Sequence, residues 1–585
     1  MNGLYALKPW YADRLSGVRA SLVRREVSPD TLTAAGVVSA AGAAAAPVSA
    51  PPSSVRAADD PVPGNEGMPD DGFDNESEGE QDDFAGTGAG AGAGAGTGSA
   101  AASVAPAAPG ASALAAPVPG RAADFKLAKS TDISGLVTKL DAALPKQGLT
   151  ELMEQANRPA GWEGACGTAG IYGSDLAVNH RVCWQNDDAT SSEWVPQAIT
   201  GVSDAQEDED WGTSNAEPIA VAGYDAENPG RSNYAKDRDN CVQDSASDAC
   251  NEKGIRVSFF NQATQMYRHV LLVWPYTNSK DHISFDALHA SEGKCTTEVT
   301  SSCAAQNGIH AGGMVWYGNY LYVADTANGM RVFDLRKIMD LNPDNKADVD
   351  DPTPDGLVSN VTDKKRIGRQ SNVWYGYGYR YVMPQVATLK FTTAKNGGTT
   401  SGNQCYVTGR PKASYISLDR TDTDHMVLGE YCNTNNGGTS PGRVGTYPMT
   451  ALTAAVEGAT GATASADLAY GLPTGAKFNN EALWHKIQGV TRYEGKWYFH
   501  RSNGYDNGRL LQATPGTVDG TSQLVGNAKT LESAFGPEDL YLAHGRGDGF
   551  APQLWSLSEH APSKCAACRR EVYSYNMSEV ISDFG

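Results

Sequence analysis

Five polar side chains recur at one position of a repeated pattern. They are Gln197 in WVPQAIT, His310 in IHAGGMVWYGNYLYVADT, Gln385 in VMPQVATL, Gln488 in KIQGVTRYEGKWYFHRS and Glu538 in FGPEDLYL. In each run the polar residue precedes small or β-branched residues and then a hydrophobic strand. Polar groups that converge on a concave site form the default ligand-binding arrangement. Polar residues at such positions also satisfy orphan backbone groups of neighbouring elements. Amide and carboxylate oxygens of this kind suit calcium, which takes about six to eight oxygen ligands. Glu538 is the one carboxylate of the five and the expected anchor for a metal or other cation. His310 offers nitrogen and suits hydrogen bonding or general-base work. His310 and Glu538 are therefore the catalytic candidates.

Other groups are weaker candidates. Glu430, Glu538 and Asp539 could supply a carboxylate pair for glycoside hydrolysis, which needs a separation of roughly 5–10 Å. Trp316, Tyr375, Tyr377, Tyr379 and Trp497 could stack on sugars, although such residues mostly pack within strands. Asp344, Asp348, Asp350, Asp351 and Asp355 form an acidic run without the glycine and terminal glutamate of an EF-hand, and read as a solvated loop. The sequence contains no P-loop and no H-E-x-x-H.

The elements that position these residues start late in the chain. The sequence has 585 residues and a formal net charge of −21. Residues 1–50 form a basic, signal-like leader. Residues 51–122 read as a disordered linker, rich in Ala, Gly and Pro, with many carboxylates and no Lys or Arg between Asp59 and Asp83. Such a segment buries too little apolar surface to offset chain entropy. Much of the negative charge thus lies outside the folded part, and the balance argues against nucleic acid as partner. No stretch reaches the roughly 20 apolar residues of a membrane helix. Arg24 and Arg25 precede the mildly apolar run Ala34–Ala50, which ends in small residues, the order of an export signal.

All 10 cysteines lie between Cys166 and Cys568. Their even number and position point to disulfides and an oxidising compartment. Plausible local pairs are Cys166 with Cys183, Cys241 with Cys250, Cys295 with Cys303, Cys405 with Cys432, and Cys565 with Cys568; sequence alone leaves the connectivity open.

Residues 123–160 form a short helical segment, in which Leu136, Leu140, Leu144, Leu149 and Leu152 recur at near-helical spacing. Residues 161–585 change character, with Tyr, Trp, Val and Thr between glycine-containing turns. The clearest repeat sets Tyr317-Gly318-Asn319-Tyr320-Leu321-Tyr322 against Glu494-Gly495-Lys496-Trp497-Tyr498-Phe499, a strand, tight turn and strand. Repetition of such a unit predicts an all-β β-propeller of about five blades, with room for a sixth after Gln197 and Gln385. The competing arrangement is a pair of β-sandwiches.

Two resemblances add to this reading. The run MNGLYALKPWYADRLSGVRASLVRREVSPDTLTAAGVV resembles the start of actinobacterial CDP-alcohol phosphatidyltransferases. None of the Asp-Gly pairs at Asp71, Asp355, Asp519 and Asp548 continues into that family's D-G-x-x-A-R run, so the activity is not carried over and a relic fusion is implied. The stretch Trp194–Glu559, with RHVLLVWP, GMRVFDL, LGEYC and QLWSLSEH, resembles a family of secreted actinobacterial proteins without assigned activity. That resemblance implies secretion and a propeller-like fold. The expected function is extracellular ligand binding or interaction, with carbohydrate among the ligand classes. The alternative is an extracellular hydrolase, lactonase-like or glycosidase-like, working through the channel residues.

Overall fold

The computed structural model describes residues 116–130, 132–162, 173–206, 217–226, 253–278, 280–289, 309–343, 357–364, 366–370, 372–394, 403–544 and 551–585. The leader, most of the linker, the Asp344–Asp355 run, and Cys166, Cys241, Cys250, Cys295 and Cys303 lie outside them. Among the described residues, no helix is long and apolar enough to cross a membrane.

The fold is all-β, and its described strands gather into five antiparallel units of four main strands each. Unit 1 runs Trp194–Gly201, Ile219–Asp225, Ile255–Asn261 and Met266–Thr277. Unit 2 runs Met314–Tyr317, Tyr320–Asp325, Gly329–Asp334 and Tyr381–Phe391. Unit 3 runs Tyr415–Asp419, His425–Gly429, Arg443–Pro448 and Leu468–Gly471. Unit 4 runs Ile487–Tyr493, Lys496–Arg501, Asn507–Val518 and Leu531–Phe535, with Thr521–Gly526 on the far half of its third strand. Unit 5 runs Pro537–Ala543, Gln553–Ser558 and Glu571–Asn576, and its fourth strand is Val178–Cys183, from before unit 1.

Outer strands join units in pairs. The fourth strand of unit 2 runs parallel to that of unit 1, giving a 13-stranded sheet, and units 3 and 4 likewise share a 9-stranded sheet. The first strands also meet in sequence: unit 1 touches unit 2, 2 touches 3, 3 touches 4, 4 touches 5, and 5 touches 1.

This succession explains the strand compositions. Each unit is covered on both faces, so strands such as IAVAGYD and IRVSFFN are buried at every residue instead of alternating. Five apolar clusters lie between consecutive units. Phe259 and Val270 pack with Trp316 and Phe333 between units 1 and 2. Val332 and Tyr322 meet Ile416 and Met426 between 2 and 3. Tyr415 and Val444 meet Trp497 and Leu511 between 3 and 4. Tyr498 and Leu510 meet Leu540 and Tyr573 between 4 and 5, and Tyr541 and Trp555 meet Ile199 and Phe260 between 5 and 1. Trp316 and Trp497 are thus core residues, the strand packing that such aromatics mostly serve, and not sugar platforms.

The helical segment is shorter than its leucine spacing suggests. Helices span Ser134–Ala143 and Leu149–Glu154, and Pro145 separates them because proline cannot continue a helix. Leu140 and Leu144 pack on Leu271 and Val382, while Leu149 and Leu152 join the cluster between units 1 and 2. A strand at Leu127–Lys129 pairs with Leu389–Phe391, and Lys129 Nζ donates to the Val456 and Gly458 carbonyls at 2.8 Å, capping the helix Met449–Glu457. Disulfides join Cys405 to Cys432 and Cys565 to Cys568, and Cys183 is disulfide-bonded as well.

Candidate functional site

Four of the five repeated polar residues lie at the end of the fold where first strands begin. Gln197 and Gln488 are on the first strands of units 1 and 4, Glu538 is on that of unit 5, and His310 precedes that of unit 2. Gln385 does not join them. It lies on the fourth strand of unit 2, fully buried, with Nε2 donating to Thr388 Oγ1 at 2.6 Å. VMPQVATL copies the Pro-Gln of WVPQAIT for a different reason. Val382–Pro384 pair in parallel with unit 1, and from Gln385 the strand turns to its own unit. Unit 3 supplies its first strand at Tyr415–Asp419, preceded by Ser414.

Unit 5 carries three acids at this end, and each is held differently. Glu538 is wholly buried; its Oε1 accepts from Gln488 Nε2 at 3.2 Å. Gly489 allows this approach, because a Cβ there would meet the Glu538 carbonyl oxygen at 2.8 Å. Beneath, His500 Nδ1 lies 3.2 Å from the same carbonyl oxygen and Nε2 lies 3.0 Å from Ser533 Oγ. Burial pushes the His500 pKa down to about 4, so the ring is neutral at pH 7.

Asp539 points the opposite way. Its Oδ2 accepts backbone N–H groups of Ile199 and Met314, each at 3.2 Å, from the first strands of units 1 and 2. It therefore satisfies donors on the inner edges of two other units. Burial raises its pKa well above the usual carboxylate range despite those N–H groups. Alternation along the strand sends Glu538 towards unit 4 and Asp539 towards unit 1. Glu430 belongs to unit 3, where Arg443 grips it through Nε at 2.8 Å and Nη2 at 3.1 Å. Of the three candidates for a carboxylate pair, Glu430 is thus set in another unit from Glu538 and Asp539, and those two side chains face opposite ways.

Glu559, directly after the second strand of unit 5, is the partner that the sequence reading missed. Its Oε2 accepts from Gln197 Nε2 at 2.9 Å. Its backbone N–H donates to Gly536, and its carbonyl accepts from Arg570 Nε at 2.6 Å. Gly536 has φ +52°, and a Cβ there would meet the His560 ring at 2.6 Å. His560 Nε2 lies 3.1 Å from the Gly504 carbonyl oxygen, and its ring lies 4.8 Å from that of Tyr505, which is 49% exposed. His310 stacks on Tyr224 at 4.6 Å. Burial lowers the Arg570 pKa to about 10, opposed by Glu559, with Tyr224 also close enough to act on it.

A second pattern runs through the units at the same end. Second strands close on Asp225, Asp325, Glu430, Arg501 and Glu559, and third strands open with Arg256, Arg331, Arg443, Arg509 and Arg570 at or beside their start. Arg331 meets Asp325 at 2.7 Å, as Arg443 meets Glu430. The acid-then-Gly-then-Arg spacing, as in ADTANGMR, is the sequence signal for it.

Glu538, the expected cation anchor, is held by the Gln488 carboxamide at 3.2 Å. Among the described residues the one cluster of three ligating types is Cys405, Glu430 and Cys432. Its sulfurs are bonded to each other and its carboxylate is held by Arg443. The run Gly438-Thr439-Ser440-Pro441-Gly442 has the G-x-S-x-G letters of a nucleophile elbow but not its form. It is a turn leading into a strand, with Ser440 buried and its Oγ accepting the Gly442 N–H at 3.1 Å.

No family model matches the chain, and no curated protein matches it. Among solved structures it is similar to the RS223 beta-xylosidase, at 8% identity and TM-score 0.27 over 66% of this chain and 92% of that one. It is similar to a GH43_1 enzyme from Xanthomonas citri, at 8% identity and TM-score 0.26 over 66% of this chain and 90% of that one. A Thermus thermophilus protein described as a putative oxidoreductase (glucose dehydrogenase) gives 10% identity and TM-score 0.24 over 68% and 99%. At TM-scores this low, the reading of the site rests on this chain's own residues.

Proposed function

We propose that the five units are blades of a β-propeller and that the protein is a secreted binding module for a polyhydroxylated, carbohydrate-type ligand. The ligand lies where the first strands begin, around unit 5. The observation that carries this is the double pairing of Gln197 with Glu559 and Gln488 with Glu538, beside His560 and the exposed Tyr505. Amide and carboxylate groups side by side offer the donors and acceptors that vicinal hydroxyls need, and an open aromatic ring covers the apolar face of a sugar. Export through the N-terminal segment and an oxidising destination complete the reading, and the cysteine count supports it.

The test is titration of immobilised neutral oligosaccharides with the full-length protein and its Tyr505→Ala and Glu559→Gln variants. Saturable binding that weakens about tenfold or more in each variant is expected, the size of one stacking or charge-assisted contact. Binding equal in all three proteins would overturn the site.

A second reading is glycoside hydrolysis with Glu538 and Glu559 as the carboxyl pair. It is favoured by their shared end of unit 5 and their different surroundings, one wholly buried and one accepting from Gln197 with the Arg570 charge near it. Turnover of aryl glycosides that Glu559→Gln abolishes would establish it; no turnover by the wild type would remove it.

A further inference from the structure

The acid-and-arginine pattern breaks in unit 4, and the break makes a site. In unit 3 the facing residues are Glu430 and Arg443, of opposite charge. In unit 4 the residues directly opposite are Arg501 and Arg509. Like charges facing across a strand pair repel. The Phe478 ring lies between the two guanidinia, at 4.9 Å from Arg501 and 4.7 Å from Arg509.

Glu532, on the unit's fourth strand, meets Arg509 Nη1 at 3.6 Å, whereas the carboxylate that answers the buried Arg501 comes from outside the unit's strands. A two-strand hairpin, Lys477–Phe478 with Glu481–Ala482, turns through Asn479 and Asn480 at φ 51° and 66°. It sets Glu481 against Arg501 Nη2 at 3.1 Å, Lys486 Nζ at 3.3 Å, Asn435 Nδ2 at 2.7 Å and His485 Nε2 at 3.1 Å. Partial burial opposes ionisation, yet Lys486, Asn435 and His485 bring the Glu481 pKa down to about 2. The compensation is incomplete. Arg501 is wholly buried, and its Nε, like that of Arg509, has no acceptor among the described residues. Burial holds the Arg501 pKa below its usual range, with Glu481 opposing. The Glu481 side chain itself is 28% exposed, so solvent reaches the occupant while the cation beneath stays dry.

We propose that Glu481 is the internal occupant of an anion site formed by Arg501, Lys486, Asn435 and His485, and that the carboxylate group of an external ligand takes its place when the hairpin lifts. A planar carboxylate fits because the guanidinium and the amide already hold one there. Gln488, two residues beyond Lys486, sets this site beside the polar pairs of unit 5. A sugar acid would span both, a clause that rests on the carbohydrate reading; the anion site does not.

The experiment compares full-length wild type with Glu481→Gln by calorimetric titration with acetate, D-glucuronate and D-glucose. Glu481→Gln is expected to bind acetate and glucuronate saturably, about tenfold or more tighter than wild type, and Lys486→Gln added to it to weaken both about tenfold. If Glu481→Gln binds neither carboxylate, the proposal is overturned. If that variant folds poorly, hydrogen exchange of residues 477–482 in wild type decides. Faster exchange at saturating glucuronate supports the proposal, and unchanged exchange overturns it. Acetate has no hydroxyls, so its binding bears on this site alone; failure of neutral saccharides to bind would strike the carbohydrate reading instead.

Discussion

Units 3 and 4 share a strand pattern and differ in how they handle charge at the same place. In unit 3 a buried arginine and a buried glutamate face each other, and Arg443 also reaches Asp124 at 3.0 Å. In unit 4 two arginines face each other; Glu532 of the same unit meets Arg509 at 3.6 Å, and the acid for the buried Arg501 arrives on a hairpin. The first arrangement is closed: every charge is met by the unit or by a segment packed on it. The second is open, because the countercharge of its buried arginine sits on a small, partly exposed element. A repeated scaffold tolerates such a break only where another group offsets it, which makes departures from the repeat more informative than the repeat.

The largest effect should come from breaking the closed pair. Arg443→Ala would leave Glu430 buried without its cation and cost about 3–5 kcal/mol. Arg509→Ala in unit 4 removes a like-charge opposition together with a partly exposed ion pair to Glu532, and should stay within about 1 kcal/mol of wild type. Urea denaturation measures both, and equal losses would mean that the two units are not electrically different.

A smaller effect concerns Glu571, on the third strand of unit 5. It is 2% exposed, its carboxylate oxygens have no partner among the described residues, and burial raises its pKa to about 8. A folded-state value above the unfolded one means stability is full below about pH 4.5 and is lost as pH rises through about 8. Glu571→Gln should therefore raise Tm at pH 8, by up to a few kcal/mol in stability at about 1.4 kcal/mol per pH unit, and leave pH 4.5 unchanged. A gain of equal size at both pH values would contradict this.

His500 acts in the opposite direction. Its pKa of about 4 in the folded chain lies below the unfolded value, so stability falls as pH drops from about 6.5 towards 4. His269, His485 and His544 share that direction, each lowered first by burial. Thermal melts should show acid loss over that window, and His500→Gln should flatten part of it. The smallest change in stability, within about 0.5 kcal/mol, is expected for the exposed Tyr505→Ala. A large Tm loss there would show that the ring supports the fold and not a ligand.

Much of the strand framework was legible in the chain. The hairpin Tyr317–Tyr322 and its counterpart Glu494–Phe499 fold as their alignment indicates, with Gly318 at φ 57° and Glu494-Gly495 at φ 49° and 76°. Cys405–Cys432 and Cys565–Cys568 pair locally, as short spacing favours. The first strand of unit 3 escaped notice because Ser414-Tyr415 stands where other units have glutamine, histidine or glutamate. Gln385 misled because a Pro-Gln step marks a change of strand partner as readily as a strand start. Glu559 was out of reach for a different reason. Its contact with Gln197 joins residues from opposite ends of the folded region, and no local spacing encodes that.

The fourth strand of unit 5, Val178–Cys183, has a consequence in time. It emerges from the ribosome before unit 1, yet its partner Glu571–Asn576 lies beyond all of units 1 to 4 in the chain. At about 5–20 residues per second, that strand waits roughly 20–80 s with its hydrogen-bonding edge unmatched. Units 1 to 4 can each complete their own four strands as they are made, whereas unit 5 cannot close until residues 571–576 have been added. A chain halted before residue 571 therefore leaves two open sheet edges, on Val178–Cys183 and on Gln553–Ser558, which are available to a second copy of the same chain.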